Sequence, residues 1–221
     1  MAAQRNMGGF MKGILVKRLE SSFYAFRQTL SRFIESYERF IAMYESGTVL
    51  ISKDVNVYDL LDNGDTKKLL HLIEEGEVMQ FKSDEFSPAL LKDLKYDLNQ
   101  LRYLQSMWAD IDTDPKLLQF KTELTEDSRL KGKKIIVFTE SKETADYLFD
   151  ELAEIYGNRI VHFSGQSSAA LKIEIEDSFN PRFADKENDK YDLLITTDVL
   201  AEGVNLHRAN VLVNYDLPWN P

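Results

Sequence analysis

Cysteine is absent from the 221 residues, which excludes disulfides and cysteine-held metal. Histidine is scarce: His71, His162 and His207 are scattered without ligand spacing, and each reads as structural or exposed. No apolar run approaches the roughly 20 residues of a membrane span. No secretory signal pattern opens the chain, so a cytoplasmic protein without membrane attachment is expected. A basic surplus is lacking as well. The formal net charge of -10 argues against a nonspecific nucleic-acid binder, which advertises a basic surface, although it leaves room for a local basic groove. Two nucleotide devices are also missing: a Gly-x-x-x-x-Gly-Lys-Ser/Thr loop to cradle phosphates, and an Asp-Glu pair after an apolar strand to hold magnesium. With no paired carboxylates and no nucleophile constellation, the residues supply no catalytic group and no metal site.

What is present suffices for a core. Hydrophobic residues make up 43% and aromatics 11%, and the length suits one domain with an attachment or two small domains. Charge is unevenly spread, with 7 Lys and Arg against 4 Asp and Glu in residues 1–45, and 20 against 33 in the remainder. The basic part is the amino-terminal stretch. Residues 1–9 carry little pattern and read as a frayed start. From Phe10 to Tyr44 apolar residues recur at three- and four-residue steps, which predicts one long amphipathic helix ending near Gly47. A short strand is expected over 49–51 and a short helix over 65–75. Ser87-Pro88 and Asp114-Pro115 each pair a capping side chain with proline at a helix start, giving helices to about Ile111 and Leu124. Residues 1–130 thus read as a mostly helical attachment.

At Lys133 the character changes to alternating strand and helix. Lys134-Ile135-Ile136-Val137-Phe138-Thr139 is a strand, Ser141 caps a helix that Gly157 ends, and 159–163 is the next strand. Ser164 to Ser168 forms a polar turn into a helix closing near Phe179. Leu193-Leu194-Ile195 and Val211-Leu212-Val213 are continuously apolar, as parallel strands buried on both faces are. Four strand signals with helices after the first two predict an α/β fold with a doubly wound parallel sheet over 131–221. In such sheets ligands sit at the carboxyl ends of the strands, where the polar residues of this segment cluster. Ser141, and Ser164 to Ser168, each precede helix N–H groups that lack intrahelical partners and can meet a phosphate oxygen.

The block from Asp192 to Pro221 resembles motif V of superfamily 2 helicases and translocases, in particular the bacterial Swi/Snf-like, RapA-type branch. It carries the resemblance through Thr196-Thr197-Asp198, Glu202-Gly203-Val204-Asn205-Leu206 and Asn214-Tyr215-Asp216-Leu217-Pro218-Trp219-Asn220-Pro221. Ile135 to Ser141 resembles motif IV, His162-Phe163-Ser164-Gly165 resembles the next strand and turn, and Phe10 to Ser22 resembles the box that leads from lobe 1 into lobe 2. The resemblance implies a RecA-like carboxyl-terminal motor lobe. It implies nucleic-acid contacts from Thr139, Ser141, Ser164, Gly165, Thr196 and Thr197, with duplex DNA as the expected partner. It also implies that Glu202, Gly203 and Asn205 face ATP held between this lobe and a first RecA-like lobe, where Gly203 would let the backbone approach closely.

In that family the phosphate loop and magnesium carboxylates belong to lobe 1, and the arginine-rich motif VI follows the Trp-Asn-Pro block. The expectation is a fragment of an ATP-dependent helicase or DNA translocase whose parent uses ATP and magnesium. By itself the fragment is expected to need no cofactor and to hydrolyse nothing. Arginine fingers alone are worth about 10³ to 10⁵ in rate in GTPases. The alternative is a non-catalytic α/β binding or protein-interaction module.

Overall fold

Helix runs through the amino-terminal segment in two pieces, α1 (Ala2–Ser21) and α2 (Phe23–Glu45), rather than in one. The break is made by the Ser21-Ser22 pair, whose hydroxyls compete with the helix for hydrogen bonds. Ser22 accepts from Ala25 N at 3.0 Å through its Oγ and from Phe26 N at 3.1 Å through its carbonyl, and so starts a new helix. The helix also extends back through Gly8 and Gly9 to Ala2, where a frayed start was expected. Propagation adds one hydrogen bond per residue fixed, so these residues need no apolar pattern to join a helix already formed. The computed structural model describes residues 2–62, 66–183, 189–197, 200 and 204–217.

After α2 come β1 (Thr48–Ile51), α3 (Val57–Asp62), α4 (Thr66–Glu74), β2 (Met79–Lys82) and α5 (Ala89–Met107). β1 and β2 pair antiparallel with Val49 opposite Phe81, a pairing that strand signals over 49–51 alone did not anticipate. The chain continues with α6 (Pro115–Glu126), β3 (Ile135–Phe138), α7 (Lys142–Tyr156), β4 (Ile160–Phe163), α8 (Ala169–Phe179), β5 (Leu193–Thr196) and β6 (Val211–Asn214). α5 stops at Met107 and α6 begins at the predicted Asp114-Pro115 signal.

The last four strands form one parallel sheet in the order β4-β5-β3-β6. Alternation along each strand divides its side chains between two cores. Ile135, Val137, Leu193 and Ile195 pack with Leu117, Phe120 and Leu124 of α6 and with Leu148 and Leu152 of α7. Ile136, Val161, Phe163 and Leu194 face the other way, against Ile175 and Phe179 of α8. The sheet is therefore covered by helices on both faces, the doubly wound α/β arrangement read from the sequence. One strand departs from expectation: β5 is buried throughout, but β6 alternates, with Leu212 60% exposed. Among the described residues β6 pairs with β3 alone and sits at the sheet's edge, so its apolar run does not mean burial on both faces.

Two compact units make up the molecule. Residues 1–29 and 111–221 form the sheet unit, and residues 30–110 form the other. Residues 111–130, read from the sequence with the helical region, here share a core with β3 and α7. The second unit has its own core, in which Met43, Val49, Leu50, Val57, Leu60, Leu72 and Val78 are buried between helices and hairpin.

Candidate functional site

Parallel register sets the geometry of the site. Phe138 lies opposite Thr196 and Asn214, and Phe163 opposite Thr196, so all four strands end at one edge. That brings together the turns beginning at Thr139, Ser164, Thr197 and Tyr215, which lie far apart in sequence. All six residues expected to contact nucleic acid lie at this edge. Of the three expected to face ATP, Glu202 and Gly203 lie outside the described residues. Asn205 is exposed, and its Oδ1 accepts from His207 N at 3.3 Å in a local turn. Asp198, at the end of the Thr196-Thr197-Asp198 triplet, also lies outside the described residues.

Three hydroxyls at the edge, those of Thr139, Ser141 and Thr196, are engaged within the fold. Thr139 is 3% exposed and donates to Asp216 Oδ2 at 2.9 Å. Ser141 is 1% exposed, accepts from Thr144 N at 3.2 Å as the cap of α7, and donates to Glu143 Oε2 at 3.0 Å. Thr196 is wholly buried, and its hydroxyl is directed to the carbonyls of Phe163 at 3.1 Å and Thr197 at 3.0 Å. Ser164 and Ser167 tie the next turn by a pair of bonds at 2.9 Å, from Ser164 N to Ser167 Oγ and from Ser167 N to Ser164 O. Gly165 is exposed there, and Lys142 reaches across from α7 to Gln166 Oε1 at 2.8 Å. The two turns therefore differ in what they offer. The start of α7 already has an acid in its first turn, whereas α8 begins with Ser168 and none. A negative group is better received at the second, because a helix amino terminus carries positive partial charge.

The carboxyl end of α1 packs on this edge, a contact no local sequence signal announced. Arg18 pairs with Glu143 at 3.2 Å, and Lys17 with Glu20 at 3.5 Å. The Ser21 and Ser22 hydroxyls lie 2.7 and 2.8 Å from Thr144 Oγ1. Ser21 also donates to Asp216, whose Oδ1 accepts from Glu140 N at 3.0 Å. Ile14, Lys17, Arg18, Glu20, Ser21, Glu140, Ser141, Asp216 and Leu217 enclose a cleft of ≈ 390 Å³. Its rim holds Lys17 and Arg18 against Glu20, Glu140 and Asp216, so it is of mixed charge.

Beneath the cleft, Asp114 caps α6 and accepts from Lys116 N at 3.1 Å, Leu117 N at 3.2 Å and Phe23 N at 3.1 Å. Lys116 Nζ donates to the carbonyls of Glu20 at 2.8 Å and Ser21 at 3.0 Å, and sits 4.0 Å above the Tyr215 ring. Burial holds the Lys116 ammonium below its ordinary pKa, against the pull of Asp216, Asp114 and Glu20. Burial likewise pushes the Tyr215 phenol upward, with Asp114 adding to it. Neither Lys116 nor Asp216 stood out in the sequence, because their partners come from segments about 75 to 195 residues away.

Among the described residues no three His, Asp or Glu gather as a metal site, and no helix is long and apolar enough to cross a membrane.

Residues 115–221 match the helicase conserved C-terminal domain. Over this segment, just under half of the chain, the sequence is similar to helicase C-terminal domains. Similar proteins include the uncharacterized ATP-dependent helicase YqhH of Bacillus subtilis, 38% identical over 88 residues, which are 40% of this chain and 14% of that protein. The DNA repair and recombination protein RAD54B of Gallus gallus is 26% identical over 145 residues, covering 63% of this chain and 15% of that one. The ATP-dependent RNA helicase DBP5 of Meyerozyma guilliermondii is 24% identical over 127 residues, 57% of this chain and 24% of the other. The chain thus spans a quarter or less of the length of these relatives, whose names include both a DNA repair and recombination protein and an RNA helicase.

Proposed function

We propose that the chain is the second motor lobe of an ATP-dependent, bacterial Swi/Snf-like DNA translocase or helicase, with residues 131–221 as its RecA-like core and the residues before 131 as an attachment, of which α1 and α6 pack on that core. The observation that carries this reading is the convergence of three polar turns, at Thr139-Ser141, Ser164-Gly165 and Thr196-Thr197, on the carboxyl edge of a helicase-type parallel sheet. Such turns position a nucleic-acid backbone without reading bases. ATP and magnesium belong to the complete motor, with Glu202, Gly203 and Asn205 on the nucleotide-facing side of the interface with a first RecA-like lobe. Closure of the two lobes on ATP would move the phosphate contacts of this edge along the strand.

Duplex DNA is preferred to RNA because the Lys17-Arg18-Leu19-Glu20 box and the Trp219-Asn220-Pro221 ending resemble the Swi/Snf-like branch. The deciding experiment measures ATP turnover with duplex DNA, with structured RNA and without nucleic acid. It uses a chain extended to include the phosphate-loop lobe and the arginine-rich motif, with Thr197→Ala alongside. DNA-stimulated turnover that the substitution uncouples is the expected result. Stimulation by RNA alone would move the assignment to the RNA helicases, and no turnover at all would leave a non-catalytic binding module. The 221 residues alone, which contain no phosphate-cradling loop, are expected to show no magnesium-dependent ATPase above background.

A further inference from the structure

Asp216 gathers three donors from two distant parts of the chain. It accepts from the Ser21 hydroxyl at the end of α1, from Thr139 Oγ1 at 2.9 Å and from Glu140 N at 3.0 Å. Thr139 in turn accepts from Ser141 N at 3.3 Å, and Ser21 lies 2.7 Å from the Thr144 hydroxyl in the first turn of α7. Ser21, Thr139, Ser141 and Thr144 are each at most 4% exposed. Asp216 itself is half-buried at the cleft and Glu140 is exposed, but the hydroxyl donors are dry, and a buried donor left unpaired costs more than the bond itself contributes. No cation is bonded directly to Asp216 among the described contacts, and hydroxyl and amide donors supply the compensation.

We propose that Asp216 is a positioning residue for the nucleic-acid-facing edge: it does not touch the strand but locks the 139–141 turn and the carboxyl end of α1 into one rigid element. The inference rests on the reading of that edge as nucleic-acid-facing. It assigns a task to the acid of the Asn214 to Pro221 block, and it makes the Lys17-Arg18 box responsive to what happens at the strand ends. A strand displacing the 139–141 turn would pull on Ser21 through the Asp216 carboxylate.

The test compares the unsubstituted chain with Asp216→Ala and Asp216→Asn. Asparagine retains a carbonyl for Glu140 N and offers an amide to the hydroxyls, so it should preserve the lock. Hydrogen exchange is followed in segments 14–24, 134–146 and 160–163, and affinity for a labelled DNA duplex is measured at fixed salt. In Asp216→Ala, exchange in the first two segments should rise together by roughly tenfold or more, with β4 unchanged. Duplex affinity should fall by about the same factor, and Asp216→Asn should restore both. A rise confined to one segment, a uniform rise throughout the chain, or Asp216→Ala binding DNA as tightly as the parent overturns the inference. If the unsubstituted chain binds no duplex, the nucleic-acid reading falls and the functional half of the inference with it. The paired exchange of 14–24 and 134–146 then still decides whether the lock exists.

Discussion

The two compact units stabilise themselves in different ways. In the sheet unit, β5 is buried along its whole length between two helical layers, and Leu193, Leu194 and Ile195 are completely inaccessible. Its helices begin at side-chain caps, Asp114, Ser141 and Ser168. Among its described residues the unit of residues 30–110 has a two-stranded hairpin, in which β2 is largely exposed, and α5 begins at one exposed bond from Ala89 N to Ser87 Oγ. A lone hairpin is marginal in water, so this unit depends on the helices that flank it, through residues such as Val49 and Val78. A layered parallel sheet carries its order at its centre, whereas a helix-flanked hairpin carries it in the contacts between elements.

Core truncations should have the largest effects. Phe179→Ala empties a fully buried site beneath the sheet and is expected to cost about 3–5 kcal/mol, and Leu72→Ala in the other core about 2–5 kcal/mol. Urea denaturation gives the magnitudes, and hydrogen exchange should place each loss within its own unit. Equal loss of protection in both units from either change would break the comparison. Next comes the cap at Asp114, whose carboxylate serves three backbone donors. Asp114→Ala should cost about 2 kcal/mol, and Ser87→Ala, which loses one exposed bond to Ala89 N, about 0.5 kcal/mol or less. Matching melting-temperature shifts for the two variants would show that capping does not separate the units.

A pH effect should follow within the sheet unit. Burial holds the His162 imidazole below its ordinary 6.5, against the pull of Asp146, whose Oδ1 is 3.2 Å from Nδ1. The unfolded chain then binds more protons than the folded one between the depressed folded value and 6.5, so stability is lost as pH falls below 6.5. His162→Gln should flatten that slope in melts taken across the range, and an unchanged slope would remove His162 as its source. The smallest effects belong to the exposed ion pairs of the second unit, Arg102 with Glu38 and Lys95 with Glu45. Glu38→Gln or Glu45→Gln should each cost roughly 0.2–1 kcal/mol, shrinking as salt is added.

Legibility in the sequence follows the same division. The strands of the parallel sheet were readable because burial on both faces forces continuous apolar runs, and the helices α6 and α7 because Asp114-Pro115, Ser141 and Gly157 mark their ends. The edge position of β6 was not readable, since Val211 to Val213 look the same whether or not a further strand pairs there. In residues 30–110 the pairing of β2 with β1 was missed because Met79-Gln80-Phe81-Lys82 alternates over four residues only, too few to declare a strand. The break at Ser22 was hidden inside an apolar period that continues through both helices. At the candidate site, the strand-end turns are visible as polar clusters, but no spacing along the chain gives Asp216 its partners Ser21, Thr139 and Glu140.

The sequence by itself determined the parallel sheet and the positions of its polar turns, because these depend on burial patterns and turn chemistry that are local to each segment. The tertiary structure alone decided that the end of α1 seats on the sheet's carboxyl edge, that Ser21, Thr139 and Glu140 share the carboxylate of Asp216, and that the hydroxyls of Thr139, Ser141 and Thr196 are spent inside the fold. Those outcomes depend on which distant groups satisfy one another once water is excluded, and no spacing along the chain encodes that.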